Sequence, residues 1–208
     1  MRFISSKRRI VVCLGGAIVA GVLCVCAVAD VFGTQAKKKP PKDHEDIHAK
    51  GPIAELMKCP LAFAGVHLMN DDPSEYRVAY HYCKTVHPDL NQCVLYDGTG
   101  PDARLIGIEY LVSDAVYQKM PEEEKIYWHD HKFEVDEGLL KSLTQSGDEQ
   151  RQTLAQVRTM WGKVYHTWVD GKTYPRGPAR LFWSVTGKEP FVLPDQVELP
   201  AELRKAPE

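Results

Sequence analysis

Tyr76–Val86 alternates between two sets of side chains and is rich in Val and Tyr, the period of two that marks a half-buried β-strand. Its phase puts His81 and Cys83 on one face, and Tyr80 and Tyr82 on the other. Gln92–Tyr96 reads as a second short strand, closed by the turn signal Asp97-Gly98-Thr99-Gly100-Pro101. Ala103–Val112 is a third, with Gly107 marking a bulge or a close backbone approach. In that strand Ile106 and Ile108 are expected to face one way, and Leu105 and Glu109 the other. Strands that follow one another without regularly intervening helices favour antiparallel pairing. The expected fold is therefore α+β, a single domain with a largely antiparallel sheet flanked by short helices.

The second half supplies the helices. Ser113 is placed to cap a short one through Lys119, and Pro121 opens another with Glu122-Glu123-Glu124 against the positive end of its dipole. Ser146-Gly147-Asp148-Glu149 matches a capping box. After it Leu154, Val157 and Trp161 recur at helical spacing until Gly162 ends the run. Val164–Val169 reads as a strand leading into an Asp170-Gly171 hairpin turn, and Leu181–Val185 as the last strand. His-x-His followed by Glu is also the beginning of a cupin metal motif, but only Lys132 and Phe133 stand before Glu134, and the motif's second half is missing.

The ends have a different composition. Met1–Arg9 holds four basic residues and no acidic one, and Ile10–Ala29 runs for twenty residues without a charge. Ala27-Val28-Ala29 fits a small-x-small cleavage site, so residues 1–29 read as a signal peptide. The competing reading is an N-terminal membrane anchor through residues 10–29, since about twenty apolar residues suffice to span a bilayer. Either way the expected location is beyond the inner membrane: exported, periplasmic or extracellular, or anchored to the inner membrane. Residues 30–52 form a charged, proline-bearing linker, 53–187 the folded domain, and 188–208 an irregular Pro-rich tail. Without residues 1–29 the charge is 22 basic against 28 acidic, or −6. An acidic body of this kind lacks the basic face that a nucleic acid would need.

Of six cysteines, Cys59, Cys83 and Cys93 lie beyond residue 29. Cys83 and Cys93 flank a short loop between two expected strands, where they either form a disulfide or sit as small buried hydrophobes.

The candidate chemistry gathers around Trp128-His129-Asp130-His131-Lys132-Phe133-Glu134. On an extended backbone His129 and His131 share a face. With His81, Glu134 and His166 they make a candidate site for a divalent transition metal such as zinc, with His67, Glu109 and Cys83 as outer candidates. The same residues equally suit a buried hydrogen-bonded network with no ligand. Arg104 and Glu109 are candidates for an ion pair if a bulge at Gly107 brings them together. No Gly-x-Ser-x-Gly elbow and no phosphate-binding Gly-Lys-Ser/Thr ending is present.

The residues Gly65-Val66-His67, Ala79-Tyr80-His81-Tyr82-Cys83, Gln92-Cys93-Val94-Leu95-Tyr96-Asp97 and Ala103–Ser113 resemble the oil-body-associated protein family in order and spacing. The likeness continues through Met120–Lys125, Trp128–His131, Glu134-Val135, Gly162-Lys163 and His166-Thr167-Trp168, over about residues 60–187. Tyr80 departs from a histidine usual in plant members, and Trp161 from a tyrosine. The resemblance implies a shared fold and an association with lipid stores in plants, and no established reaction. Two functions follow as expectations: a non-enzymatic protein binding a small ligand or a lipid surface, and a metal-binding protein built on His81, His129, His131 and His166.

Overall fold

The structure, a computed structural model, describes residues 49–58 and 61–203. The elements are α1 (Pro52–Lys58), β1 (Ala62–Met69), β2 (Asp72–His87), β3 (Leu90–Tyr96), β4 (Leu105–Ser113), α2 (Asp114–Tyr117), α3 (Glu122–Lys125), β5 (His129–Asp130), α4 (Lys132–Asp136), β6 (Lys141–Ser142), α5 (Gly147–Val157), β7 (Met160–His166) and β8 (Arg180–Ser184). A 3₁₀ turn follows at Ala201–Leu203. The expected leader, most of the linker, and Cys59 fall outside the described residues.

Every strand pairing is antiparallel. The order β1-β2-β3-β4-β7-β8 returns to β1, because β1 pairs with β2 on one side and with β8 on the other. Six strands thus close a barrel, and closure removes the exposed edges that an open sheet must protect. Two short strands fill the flanks that β8 leaves open: β6 on β1 and β5 on β7. The α+β class with a largely antiparallel sheet and short helices holds.

β1 explains why it was not legible as a strand. All eight of its residues are buried, so no polar alternation marks it. Its inward face lines the lumen. Its outward face, Ala64, Val66 and Leu68, packs with Val185, Phe191 and Leu203 from the end of the chain. The Phe191 backbone is tied to Thr186, Gly187 and Lys188, and its ring stacks on Trp183 at 4.6 Å. The segment after β8 thus covers the outer wall of the barrel.

Four local expectations differ from the structure. In β4 a bulge puts both Ile106 and Gly107 inside, because Leu95 pairs with Gly107 and Tyr96 with Leu105. Ile108 therefore turns outward and Glu109 inward. Arg104 does not meet Glu109: its guanidinium binds Asp97 and lies over Trp168. The α5 helix ends at Val157, and Trp161 and Gly162 belong to β7, where pairing with β4 overrides the helical period. The capping box does not close, since Ser146 makes no side-chain cap bond and Glu149 accepts from Gln145 instead.

Leu203 is 1 % exposed. Leu203→Ala should cost about 2–5 kcal/mol in denaturant unfolding, whereas Ile126→Ala, at a site 60 % exposed, should cost under about 0.5 kcal/mol. Equal effects would show that the C-terminal cover is not part of the core.

Candidate functional site

The strand registers deliver the ionisable residues to the lumen. One cross-strand row runs Phe63, His81, Leu95, Gly107, His166, and the next runs Cys83, Cys93, Glu109, Val164, Phe182. Leu111 and His129 meet across Gly162 in a third. His67 enters from β1, level with Ser184 of β8. His129 lies in β5, after which the chain turns: His131 has φ −97° and ψ 6° and leads into α4, which carries Glu134 back to the lumen one turn later. Extended spacing therefore accounts for His129 and helical spacing for Glu134. The two rings still converge, 5.0 Å between centroids.

His67, His81, Glu109, His129, His131, Glu134 and His166 are all at most 3 % exposed. His44 and His48 lie outside the described residues, and His87 sits at the exposed end of β2. Glu109, an outer candidate from sequence, is the centre. Its Oε2 is 3.0 Å from His81 Nε2, and its Oε1 is 3.3 Å from His131 Nε2 and 3.6 Å from His129 Nε2. Glu134 Oε1 stands 3.8 Å from His131 Nε2. A second chain of rings runs from His81 Nε2 to His67 Nε2 at 3.2 Å, and from His67 Nδ1 to His166 Nε2 at 2.9 Å.

Two carbonyls fix how the rings are used. His131 Nδ1 meets the Met160 carbonyl at 3.1 Å, and His81 Nδ1 meets that of Phe63 at 3.3 Å. A carbonyl only accepts, so both Nδ1 atoms carry hydrogen. In a neutral ring the Nε2 lone pair then points at Glu109, itself an acceptor. Lone pairs facing a carboxylate at this range need a proton or a cation between them. His129 is more exposed to this problem, since both its ring nitrogens are buried without a hydrogen-bond partner.

Gly162 makes the convergence sterically feasible. A Cβ there would lie 2.5 Å from Glu109 Oε1, 2.6 Å from His131 Cε1 and 2.8 Å from His129 Nε2. Gly162 is therefore a strand residue at a crowded meeting point and not the helix stop that its spacing from Trp161 suggests; its place two residues before Val164 in an apolar alternating stretch is the sequence signal for this.

The electrostatics divide the cluster. Burial would raise the Glu109 carboxyl, but hydrogen bonds from His131 and His81 outweigh it and hold it well below the usual range. Burial pushes Glu134 up to about 8, so it is neutral near pH 7. Burial would lower His131, yet the Glu109 hydrogen bond and the nearby carboxylates raise it to about 9. With Glu134 neutral, Glu109 is the partner that matters. Burial, reinforced by His131, lowers His129 to about 3; burial with His81 lowers His166 to about 3 and His67 well below its ordinary value. Cys83 and Cys93 are joined as a disulfide in the same lumen. His81, Glu109, His131, Glu134 and this disulfide border a cavity of about 10 Å³, room for about one small atom or ion.

Comparison with known proteins agrees with the motifs. A family model described as a protein of unknown function (DUF1264) matches residues 51–201. Oil body-associated protein 1B of Arabidopsis thaliana is 37 % identical over 142 residues, and oil body-associated protein 1A of Zea mays 36 % over 142 residues. Each match covers 67 % of this chain and 58 % of the relative, so the chain aligns with little more than half their length. Oil body-associated protein 2A of Zea mays is 36 % identical over 64 % of this chain and 52 % of its own. No solved structure matches. These relatives overturn the expected location: they are named for plant oil bodies, not as exported, periplasmic or inner-membrane proteins. Among the described residues no helix is long and apolar enough to cross a membrane, and residues 10–29 lie outside that set. The chain belongs to the DUF1264 family, with the oil body-associated proteins of plants as its relatives.

Proposed function

We propose that this protein binds one divalent transition metal in the barrel lumen, through Glu109 Oε1 and the Nε2 atoms of His129 and His131. The observation that carries this reading is a buried carboxylate oxygen with two imidazole Nε2 atoms turned toward it, one of them on His129, whose ring nitrogens have no hydrogen-bond partner. Ligands about 2.0–2.1 Å from zinc lie about 3.3–3.4 Å from one another in a tetrahedral shell; the His131–Glu109 edge is 3.3 Å and the His129–Glu109 edge 3.6 Å. The Nδ1–H to carbonyl bond at His131 is the outer contact that orients a metal-bound imidazole.

Metal analysis of the purified protein at pH 7.5, after equilibration with zinc and desalting, should find about one equivalent. Glu109→Gln, and the pair His129→Ala with His131→Ala, should each fall below about one tenth of that while keeping the circular dichroism of the barrel. Wild-type protein that retains no metal and gains no thermal stability from added zinc would refute the reading.

The metal-free protein should show a stability maximum near neutral pH. His67, His129 and His166 are held neutral below their ordinary 6.5, so unfolding takes up protons as pH falls through that value. Glu134, raised to about 8, opposes them with one proton. Three groups less one leaves a net uptake of about two protons on unfolding at pH 5, and stability declines from pH 7 to pH 5. Above pH 7 the folded state loses protons from Glu134 and from His131, whose value is about 9, so stability declines again. Thermal melts from pH 5 to pH 9 in a chelator check this; a midpoint that keeps rising toward pH 5 would contradict it.

Docking on a lipid surface is a second reading, supported by Leu105, Ile108 and Tyr110, which stand exposed on β4 at 38–49 %, and by the relatives' name. Ile108→Asp with Tyr110→Asp should abolish flotation of the protein with triacylglycerol droplets while leaving its melting point within a few degrees. Unchanged flotation would count against this face.

A further inference from the structure

The disulfide occupies a place that packing alone does not explain. Cys83, Cys93 and Glu109 are consecutive partners in one cross-strand row, all facing the lumen. Side chains directly opposite in antiparallel strands have Cβ atoms about 4.5–5.5 Å apart, and Cys93 stands directly opposite the residue whose carboxylate centres the cluster. The two sulfurs also wall the cavity shared with His81, Glu109, His131 and Glu134, and both cysteines are 3 % exposed. Joined to each other, the sulfurs are poor ligands. Separated, they are the softest donors in the lumen, beside imidazoles and carboxylates already gathered there.

We infer that Cys83 and Cys93 are latent metal ligands: when the bond between them is opened, both sulfurs join Glu109 around the ion, and the redox state of the pair sets how tightly it is held. This rests on the metal reading above and adds a regulation to it. Opening proceeds by exchange with a dithiol reductant. The Sγ–Sγ bond breaks, both cysteines become thiols, and the reductant's own two sulfurs become joined. When the dication enters, the two thiols release two protons to solvent, so one doubly charged ion replaces two protons and no further electrons move. The 4.0 Å between the Cα atoms suits two sulfurs converging on one tetrahedral ion. His81 and Glu109 stand next to them as further donors.

Cobalt(II) is the probe, because thiolate ligation gives a near-ultraviolet charge-transfer band that nitrogen and oxygen ligands do not. The full chain is prepared oxidised, and separately reduced by purification in reductant throughout. Alkylation and mass spectrometry confirm the gain of two thiols at Cys83 and Cys93. The oxidised form should bind cobalt with visible d–d bands alone. The reduced form should add the charge-transfer band and hold zinc at least about tenfold more tightly in chelator competition. Cys83→Ser with Cys93→Ser should remove both changes, while Cys59→Ser should keep them. Visible bands in both forms without the charge-transfer band overturn this inference and leave the metal reading intact. Cobalt bands of any kind in the reduced form only, the charge-transfer band among them, sustain the latent ligands and overturn the nitrogen–oxygen site of the oxidised form. No bands in the oxidised form and none in the reduced form overturns both.

Discussion

A carboxylate that stays ionised inside a closed barrel has to be surrounded by donors or by a cation, and Glu109 is that carboxylate. It is 1 % exposed and ringed by His81, His129 and His131 within 3.6 Å. An isolated charge at this depth would carry a desolvation penalty of several kcal/mol. The imidazoles around it therefore offset part of that penalty, and their supports extend outward. His81 and His131 are steered by the Phe63 and Met160 carbonyls, and Gly162 withholds the methyl group that would occupy the meeting point.

Barrel closure makes this arrangement specific. Lumen positions recur every second residue on each strand, and the register sets which of them share a row. The bulge at Ile106–Gly107 shifts β4 by one residue against β3, which turns Glu109 from the outer face to the inner. β5 and α4 are short, and they bring His129, His131 and Glu134 into a space that the six main strands leave at the β7–β8–β1 seam. The outer cover of Phe191 and Leu203 keeps the wall carrying His67 dry on its other side, so the low-dielectric surroundings of the cluster depend on residues far from it in the chain.

Much of this was legible in the chain. The period of two over Tyr76–Val86 placed His81 and Cys83 together, and the short loop to Cys93 made the paired sulfurs foreseeable. The spacing of His129 and His131 pointed to convergence, although the backbone achieves it with a strand-to-helix turn rather than an extended run. β1 escaped because a strand buried on both faces shows no alternation. Gly162 was misread because Leu154, Val157 and Trp161 keep a helical period across a helix end, which pairing with β4 decides. The central role of Glu109 was hidden by a bulge whose position, but not whose effect, Gly107 announced.

X-ray data collected on either side of the zinc absorption edge, from crystals grown with that ion, test the central claim most directly. A single anomalous peak is expected in the lumen, about 2 Å from Glu109 Oε1 and from the Nε2 atoms of His129 and His131. An empty lumen in such crystals, with Glu109 held by protonated imidazoles alone, would mean that the cluster is a structural core and not a metal centre.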